Sequence, residues 1–355
     1  VMNSIQFLNR LMLLVIAPFI GILIAVMLIV NKEPPVIEPV EAPKLVEVEQ
    51  AHEKIAAALT TSTELAKTAS ENIESSYTVY NETTELVSSL LPVIKKALEY
   101  PYAIYDKKIS GKLGTPSSTI NSSKLRAQLY YKSYENFKGY LVKIKLKDSS
   151  AVDMVLGGDE PGDAMTTLQA AKAYGAAVAV NAGGFADSGS KRYPLGTTII
   201  DSEYVNGFQP SKNDLFFAGF NSQNELIGGK FTDKEKLDKL KPRFGASFVP
   251  ILIQNGKKQT IPSKWQTSPS RAPRVVLANY KDDQLLLFVT DGYNTNDSAG
   301  ATLAEMQDLL QQFGVVSAYN MDGGGSASLI FNGSIINSPS DGQLRKLPTH
   351  LLFFK

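Results

Sequence analysis

The sequence contains no cysteine and only two histidines, His52 and His350. The first absence excludes a disulfide framework, a thiol nucleophile and any thiolate metal site. The second excludes a histidine-rich zinc centre. It also confines any Ser-His-Asp arrangement to His52, in a segment that reads as a stalk, or His350, in Leu347–Phe354, which reads as a buried strand. An excess of one charge is missing too: 36 Lys and Arg face 35 Asp and Glu. Nucleic-acid binding ordinarily needs a basic face, and no nucleic-acid partner is expected. Chemistry therefore has to come from Asp, Glu, Arg, Asn, Ser, Tyr and backbone groups. Apolar residues are not scarce, at 43%, and a chain of this length accommodates two domains or one large domain with attachments.

The N-terminal part is organised by composition. Leu11–Val30 carries no charge over twenty residues, enough for a helix to span the ~30 Å hydrocarbon core of a bilayer. A cleaved signal peptide is the rival reading. The apolar run exceeds the usual core of such peptides and no A-x-A pattern follows, so an uncleaved anchor is expected. Arg10 precedes the span, and Lys32 follows it beside Glu33, Glu38 and Glu41, which places the N-terminus in the cytoplasm and the remainder outside. Glu33–Pro43 holds four prolines and reads as an extended spacer. Lys44–Leu91 has neither Pro nor Gly, and Val48, Ile55, Leu59, Leu65, Ala69 and Ile73 recur at helical spacing. This predicts one long helix or a helical hairpin, ending near Pro92. Such a stalk could oligomerise as a coiled coil, stand solvated, or pack on the following domain; its heptads are imperfect and rich in Thr and Ser. Gly111–Ser123 reads as a second linker. The expected division is an anchor at 1–32, a spacer at 33–43, a stalk at 44–100, a linker at 101–126 and a mixed-sheet α+β catalytic domain at 127–355.

Within that domain, apolar runs predict strands at Tyr140–Leu146, Ala177–Asn181, Leu215–Phe220, Phe248–Gln254, Val275–Asn279, Gln284–Thr290, Val316–Asn320 and Ala327–Phe331. Helices are predicted at Asp163–Tyr174 and Leu303–Phe313. The second helix has a capping box in Thr302 and Glu305 and a terminating Gly314. Two stretches repeat one plan: AAKAYGAAVAVNAGGF (Ala170–Phe185) and LQQFGVVSAYNMDGGGS (Leu310–Ser326). In each, a helix ends at a glycine (Gly175, Gly314), a buried strand follows, an Asn comes six residues later (Asn181, Asn320), and a glycine-rich turn closes the unit. Consecutive glycines let backbone approach a ligand and aim several N–H groups at one anion. Gly323, Gly324, Gly325 and Ser326, flanked by Asp322, therefore suit a phosphate or oxyanion. No lysine follows as a P-loop requires.

VNAGGF (Val180–Phe185), SRAPRVVLA (Ser270–Ala278), LFVTDGY (Leu287–Tyr293), GATLAEMQDLLQQFG (Gly300–Gly314) and YNMDGGGSAS (Tyr319–Ser328) occur in this order. Together they resemble the phosphodiester glycosidase family, and LRKLPTHLLF (Leu344–Phe353) is similar to the family's closing strand. The resemblance covers roughly Gly139–Lys355. It implies hydrolysis of the bond between an anomeric carbon and a phosphodiester. It further implies Asn181, Gly183 and Gly184 as substrate contacts, Arg274 as phosphate or sugar ligand with Arg271 as the competing alignment, and Asp291 and Asp322 as site carboxylates. Gly323–Gly325 would form a backbone cradle and Arg345 a peripheral contact. Asp322 is expected as nucleophile or base, Asp291 as second carboxylate or metal ligand, and Asn181 and Asn320 as sugar ligands. No cofactor is required on this reading. Asp291, Asp297 and Asp322 are the oxygen ligands that a Ca²⁺ or Mg²⁺ ion would use, were one bound. The chain departs from the family where Asp291–Gly292 is followed by Tyr293 rather than Arg, and after Gly183–Gly184, where relatives often carry a second aromatic. The expected partner is a phosphodiester-linked glycan of the cell envelope, or an exopolysaccharide. The alternatives are a non-catalytic glycan-binding module and a scaffold of an exopolysaccharide machine.

Overall fold

The computed structural model describes residues 16–28, 45–160 and 162–355. The chain divides into two compact units, Val1–Pro92 and Val93–Lys355. In the first, residues 16–28 are helical with exposed side chains. The remainder of the apolar run expected to span a membrane, and the proline-rich spacer, lie outside the described residues. Among the described residues, no helix is long and apolar enough to cross a membrane.

A single helix, Leu45–Leu113, replaces the expected stalk and the start of the expected linker. It does not stop at Pro92. Proline removes one helical hydrogen bond, but good helix formers continue on both sides and tertiary contacts hold the final turns. Within the second unit, Ile109 and Leu113 are buried, and Lys143, itself buried, binds Asp106 at 2.6 Å and Ser110 at 2.7 Å. The remaining linker residues are also structured: Ser118–Asn121 and Leu125–Ser133 are paired antiparallel strands. Residues 101–126 are therefore part of the folded unit.

Three large sheets and two two-stranded ones build that unit among the described residues. The largest has eight strands. At its centre Val275–Asn279 pairs on one side with Leu285–Thr290 and on the other with Ser317–Met321, all antiparallel. These strands are buried on both faces, which is why they read as continuous apolar runs rather than alternating ones. One face meets the main core, including Val275, Leu277 and Leu287. The other meets the helix Leu303–Phe313 through Met306, Leu310 and Phe313, with each fully buried Leu or Met contributing about 1.5–3 kcal/mol. A second sheet of five strands centres on Pro242–Phe248, and a third on Val178–Asn181 with Thr349–Phe353. The expected strand Phe248–Gln254 is in fact two, Pro242–Phe248 and Ile251–Gln254, which belong to different sheets and are parted at Val249–Pro250.

The repeated plan seen in the sequence is a structural repeat. Thr167–Tyr174 and Leu303–Phe313 each begin with a capping box, Thr166 with Gln169 and Thr302 with Glu305. Each ends on a left-handed glycine, Gly175 at φ 69° and Gly314 at φ 84°, and each leads into a buried strand. The two strands belong to different sheets, yet their C-terminal ends meet: Asp322 N–H donates to Ala182 O at 3.1 Å.

Candidate active site

At that meeting point a cleft of about 180 Å³ opens, lined by Arg274, Asn320, Asp322, Gly323 and Gly324, with Phe248, Trp265 and Tyr293 as aromatic walls. The large sheet delivers the first three. Arg274 immediately precedes the central strand Val275–Asn279, while Asn320 and Asp322 lie at the end of the neighbouring strand Ser317–Met321.

Asp322 is the only acidic residue in this lining. Its side chain keeps a partial opening toward the cleft, but Oδ2 is shut off from solvent and has no hydrogen-bond partner. Burial pushes the carboxyl up to about 6, against the opposing influence of Ser326, Arg345 and the Gly323 N–H. The part of this carboxyl that opens on the cleft can take a proton from a bound molecule or attack an electrophilic carbon, and titration near neutrality suits either task.

Arg274 faces the same cleft and is almost fully buried. Its Nε donates to Ala301 O at 3.0 Å, and one terminal nitrogen donates to Pro269 O at 3.0 Å. No carboxylate pairs with it among the described residues, and burial lowers its pKa to about 10. A buried cation held only by carbonyl dipoles is costly unless an anion completes it. Arg271, the competing alignment, is excluded from that role. It makes a bidentate ion pair with Glu305 at 2.8 and 2.9 Å, within the capping box of the helix Leu303–Phe313.

Several expected contacts are structural instead. Asn181 is 1% exposed. Its Nδ2 donates to Asp322 O at 2.6 Å and its Oδ1 accepts from Ser328 N–H at 3.0 Å. It fastens one strand end to the other rather than meeting a sugar. Gly183 and Gly184 are buried, and their N–H groups go to Thr349 Oγ1 and Ser247 O. A Cβ at Gly183 would sit 2.6 Å from Ala246 Cβ, and one at Gly184 2.9 Å from the Phe248 ring; these glycines permit close packing of two sheets. In the second turn, Gly324, Ser326 and Ala327 direct their N–H groups to Pro273, Gly323 and Gly324 carbonyls. The cradle is thus largely closed on itself, and only Gly323 and Gly324 border the cleft. A side chain at Gly325 would collide with the Arg345 guanidinium. Ser326 is buried and receives a hydrogen bond from Arg345 at 3.4 Å. Arg345 itself pairs with Asp341 at 2.5 Å, behind the turn and outside the cleft.

Asp291 is the larger correction. It is fully buried and absent from the cleft lining. Oδ2 accepts from Tyr140 at 2.5 Å and Asn296 at 3.1 Å, and Oδ1 accepts from Ser338 N–H at 2.7 Å. A carboxylate so bonded, and buried away from the cleft, anchors the loop that carries Tyr293. The three aspartates weighed as metal ligands do not gather, and among the described residues no group of three His, Cys, Asp or Glu side chains could hold a metal ion. His350 is buried, bonded to Thr167 Oγ1 at 3.2 Å and Leu347 O at 3.1 Å, and pushed down to about 4 by burial. It is a neutral core histidine.

Sequence reasoning missed the aromatic walls. Trp265, the one tryptophan in the chain, lies on the short helix Ser263–Thr267 and donates to Asp214 at 3.0 Å. Tyr293 is half exposed with a left-handed φ of 55°, and its hydroxyl lies near Gly324. A bulky residue at positive φ is uncommon outside functional or tightly held loops, but that signal is visible only in coordinates.

A carboxyl and a guanidinium thus converge on a glycine turn at strand ends in a mixed α+β fold, an arrangement with the charges to meet an anionic ester or glycoside. The profile of the phosphodiester glycosidase family matches residues 174–354, and the chain belongs to that family. It is 31% identical over 161 residues to mouse N-acetylglucosamine-1-phosphodiester alpha-N-acetylglucosaminidase, a match covering 41% of this chain and 30% of that protein. The human enzyme of the same name is 30% identical over 190 residues, covering 50% and 36%. The SPbeta prophage-derived protein YomE of Bacillus subtilis strain 168 is 27% identical over 183 residues, covering 50% and 28%. The aligned region spans about a third of the length of these relatives. In fold, the chain is similar to the catalytic domain of zebrafish N-acetylglucosamine-1-phosphodiester alpha-N-acetylglucosaminidase, auto-inhibited by its pro-peptide, with a TM-score of 0.53 at 22% identity, over 68% of this chain and 87% of that one.

Proposed function

We propose that the second unit hydrolyses the glycosidic bond of a sugar 1-phosphodiester, such as N-acetylglucosamine joined through phosphate to an envelope glycan or exopolysaccharide. The observation that carries this reading is the pairing in one cleft of a buried guanidinium lacking a carboxylate partner, Arg274, with a carboxyl lacking a hydrogen bond on Oδ2, Asp322. Arg274 binds the phosphodiester oxygen that becomes the leaving group. Asp322, ionised, takes the proton of a water that attacks the anomeric carbon, or attacks that carbon itself to form a glycosyl ester that water then hydrolyses, freeing the sugar and the carboxylate. The bond from the anomeric carbon to the phosphate oxygen breaks, and its electron pair leaves with the phosphomonoester. Phosphate leaves readily, so a second carboxyl acting as acid is not needed, in keeping with Asp291 lying outside the cleft. Asn320, whose Nδ2 holds Val249 O at 2.6 Å, lines the cleft beside the sugar. Phe248, Trp265 and Tyr293 pack against the apolar face of the ring.

The uncharged run Leu11–Val30 supports a membrane anchor with the second unit outside the cytoplasm. Protease added to intact cells should digest the second unit and spare a reporter fused before residue 1. The activity test is release of N-acetylglucosamine from its methyl phosphodiester by the purified chain, with Asp322→Asn as control. Tyr293, standing where relatives often carry Arg, favours a second reading as a glycan-binding module. Binding of the diester with no release by the wild-type chain would select that reading.

A further inference from the structure

The helix Leu45–Leu113 carries a register that its apolar spacing alone does not reveal. With His52 assigned to heptad position a, Leu59, Ala66, Ile73, Tyr80, Val87 and Ile94 all occupy a. Ile55, Ser62, Ala69, Ser76, Thr83, Leu90 and Ala97 then occupy d. All eleven Lys and Glu residues between His52 and Ile104, from Glu53 to Glu99, fall at b, c or f. No charge stands at a, d, e or g over that length. Positions e and g instead carry apolar residues, with Tyr77, Leu91 and Leu98 at e and Leu65, Val79 and Leu86 at g.

This face is uncovered among the described residues. Ile55, Leu59, Ile73 and Tyr80 are 66–70% exposed, and the other large apolar residues on it are exposed as well. A strict seven-residue repeat winds helices into a left-handed supercoil, and a lone helix with such a face has no tertiary packing to sustain it. The exposed apolar side chains from Ile55 to Leu98 offer on the order of 1,000 Å² per helix, more than the ~800 Å² per partner of a standard specific interface.

We infer that this face is covered by the same face of further copies of the chain, in a left-handed helical bundle. Charge decides the occupant. A different coiled-coil partner is ordinarily selected through charged e and g positions, and this helix has none between His52 and Ile104. A neutral face whose a and d positions carry no acid or base is complementary to itself, and it leaves no buried charge unpaired when copies associate. The small and hydroxyl-bearing layers at Ser62, Ala66, Ala69 and Ser76 allow close approach near the middle, while Val87, Leu90 and Ile94 supply the apolar core toward the C-terminal end.

The test uses the full-length chain in mild detergent. Its mass by sedimentation equilibrium at about 10 µM, a concentration at which a stable bundle of a standard-sized interface is tested, should be a multiple of 38.6 kDa. Ile73→Glu/Val87→Glu/Ile94→Glu, with the N-terminal apolar run intact, should return it to one copy. Because that variant could also melt the helix, a second measurement uses the absence of native cysteine. Ile73→Cys, at a, should cross-link between copies under mild oxidation at least about tenfold faster than Thr78→Cys, at f, because only a faces its counterpart. A wild-type monomer, an unchanged mass in the triple variant, or equal cross-linking at 73 and 78 would each overturn the inference.

Discussion

Replacing Asp322 with Asn tests whether the acid is held for chemistry at the expense of the fold. Asp322 titrates near 6 because burial outweighs the groups that favour its charge; the unfolded side chain titrates near 3.9. A carboxyl whose folded pKa is raised imposes no penalty below the unfolded value, where it is protonated in both states. The penalty grows as pH rises between the two values and is complete above about 6. A difference of about two pH units corresponds to about 3 kcal/mol, an upper bound because the side chain keeps its partial opening to the cleft. Asn removes the charge and leaves the shape nearly unchanged. Asp322→Asn should therefore be more stable than wild type by up to about 3 kcal/mol at pH 7.5 and equally stable at pH 4. Urea unfolding monitored by Trp265 fluorescence, at both pH values, measures the difference. At pH 7.5 the same variant should release no sugar. Equal or lower stability of Asp322→Asn at pH 7.5 would mean that the carboxylate is well solvated or paired, and the assignment of Asp322 as a strained acid would fail.

If the ionised form of Asp322 acts, kcat/KM should climb tenfold per unit as pH rises toward about 6 and level above it; a fall above 6 would assign it instead as an acid. Asp291→Asn should destabilise the second unit by about 2–4 kcal/mol, because a buried carboxylate accepting three hydrogen bonds loses its charge-assisted partners. Denaturant midpoints would report it, and an unperturbed midpoint would contradict the anchoring role. Adding inorganic phosphate should raise the thermal midpoint of wild type and leave Arg274→Gln unmoved, since only a cation with a vacant partner gains from the anion. Asn181→Ala should lower kcat more than it raises KM, because it releases the turn that presents Asp322 without removing a substrate contact.

The sequence was informative wherever the cause of structure is local. The helix Leu303–Phe313 was predicted with its cap and stop because Thr302, Glu305 and Gly314 act within one turn of it. Val275–Asn279 was predicted to the residue because both its faces are apolar. The turn from Asp322 to Ser326 was found because an acid and three glycines after a buried strand are a short-range signal. The misreadings arose from long-range partners. Asp291 and Asp322 each follow an apolar strand and precede glycine, and nothing nearby distinguishes them. Tyr140, which donates to the Asp291 carboxylate, lies 151 residues away. Asn181 was identified as important, but its bond to the Asp322 carbonyl crosses 141 residues, so its task looked like substrate binding. The expected linker was misjudged for the same reason: the turns ending at Leu113 are held by Lys143, a residue of a strand yet to come.

The tether from Asn181 to the Asp322 carbonyl also bears on how competence is acquired. The Asp322 carboxyl follows a strand of one sheet and its position is set from another, so neither sheet alone completes the cleft. A chain released during synthesis, or clipped between the two halves of the repeat, would retain much of its secondary structure while lacking an aligned acid. Docking of the sheets and completion of the cleft would then coincide, leaving partly assembled molecules without the arrangement on which the proposed activity depends.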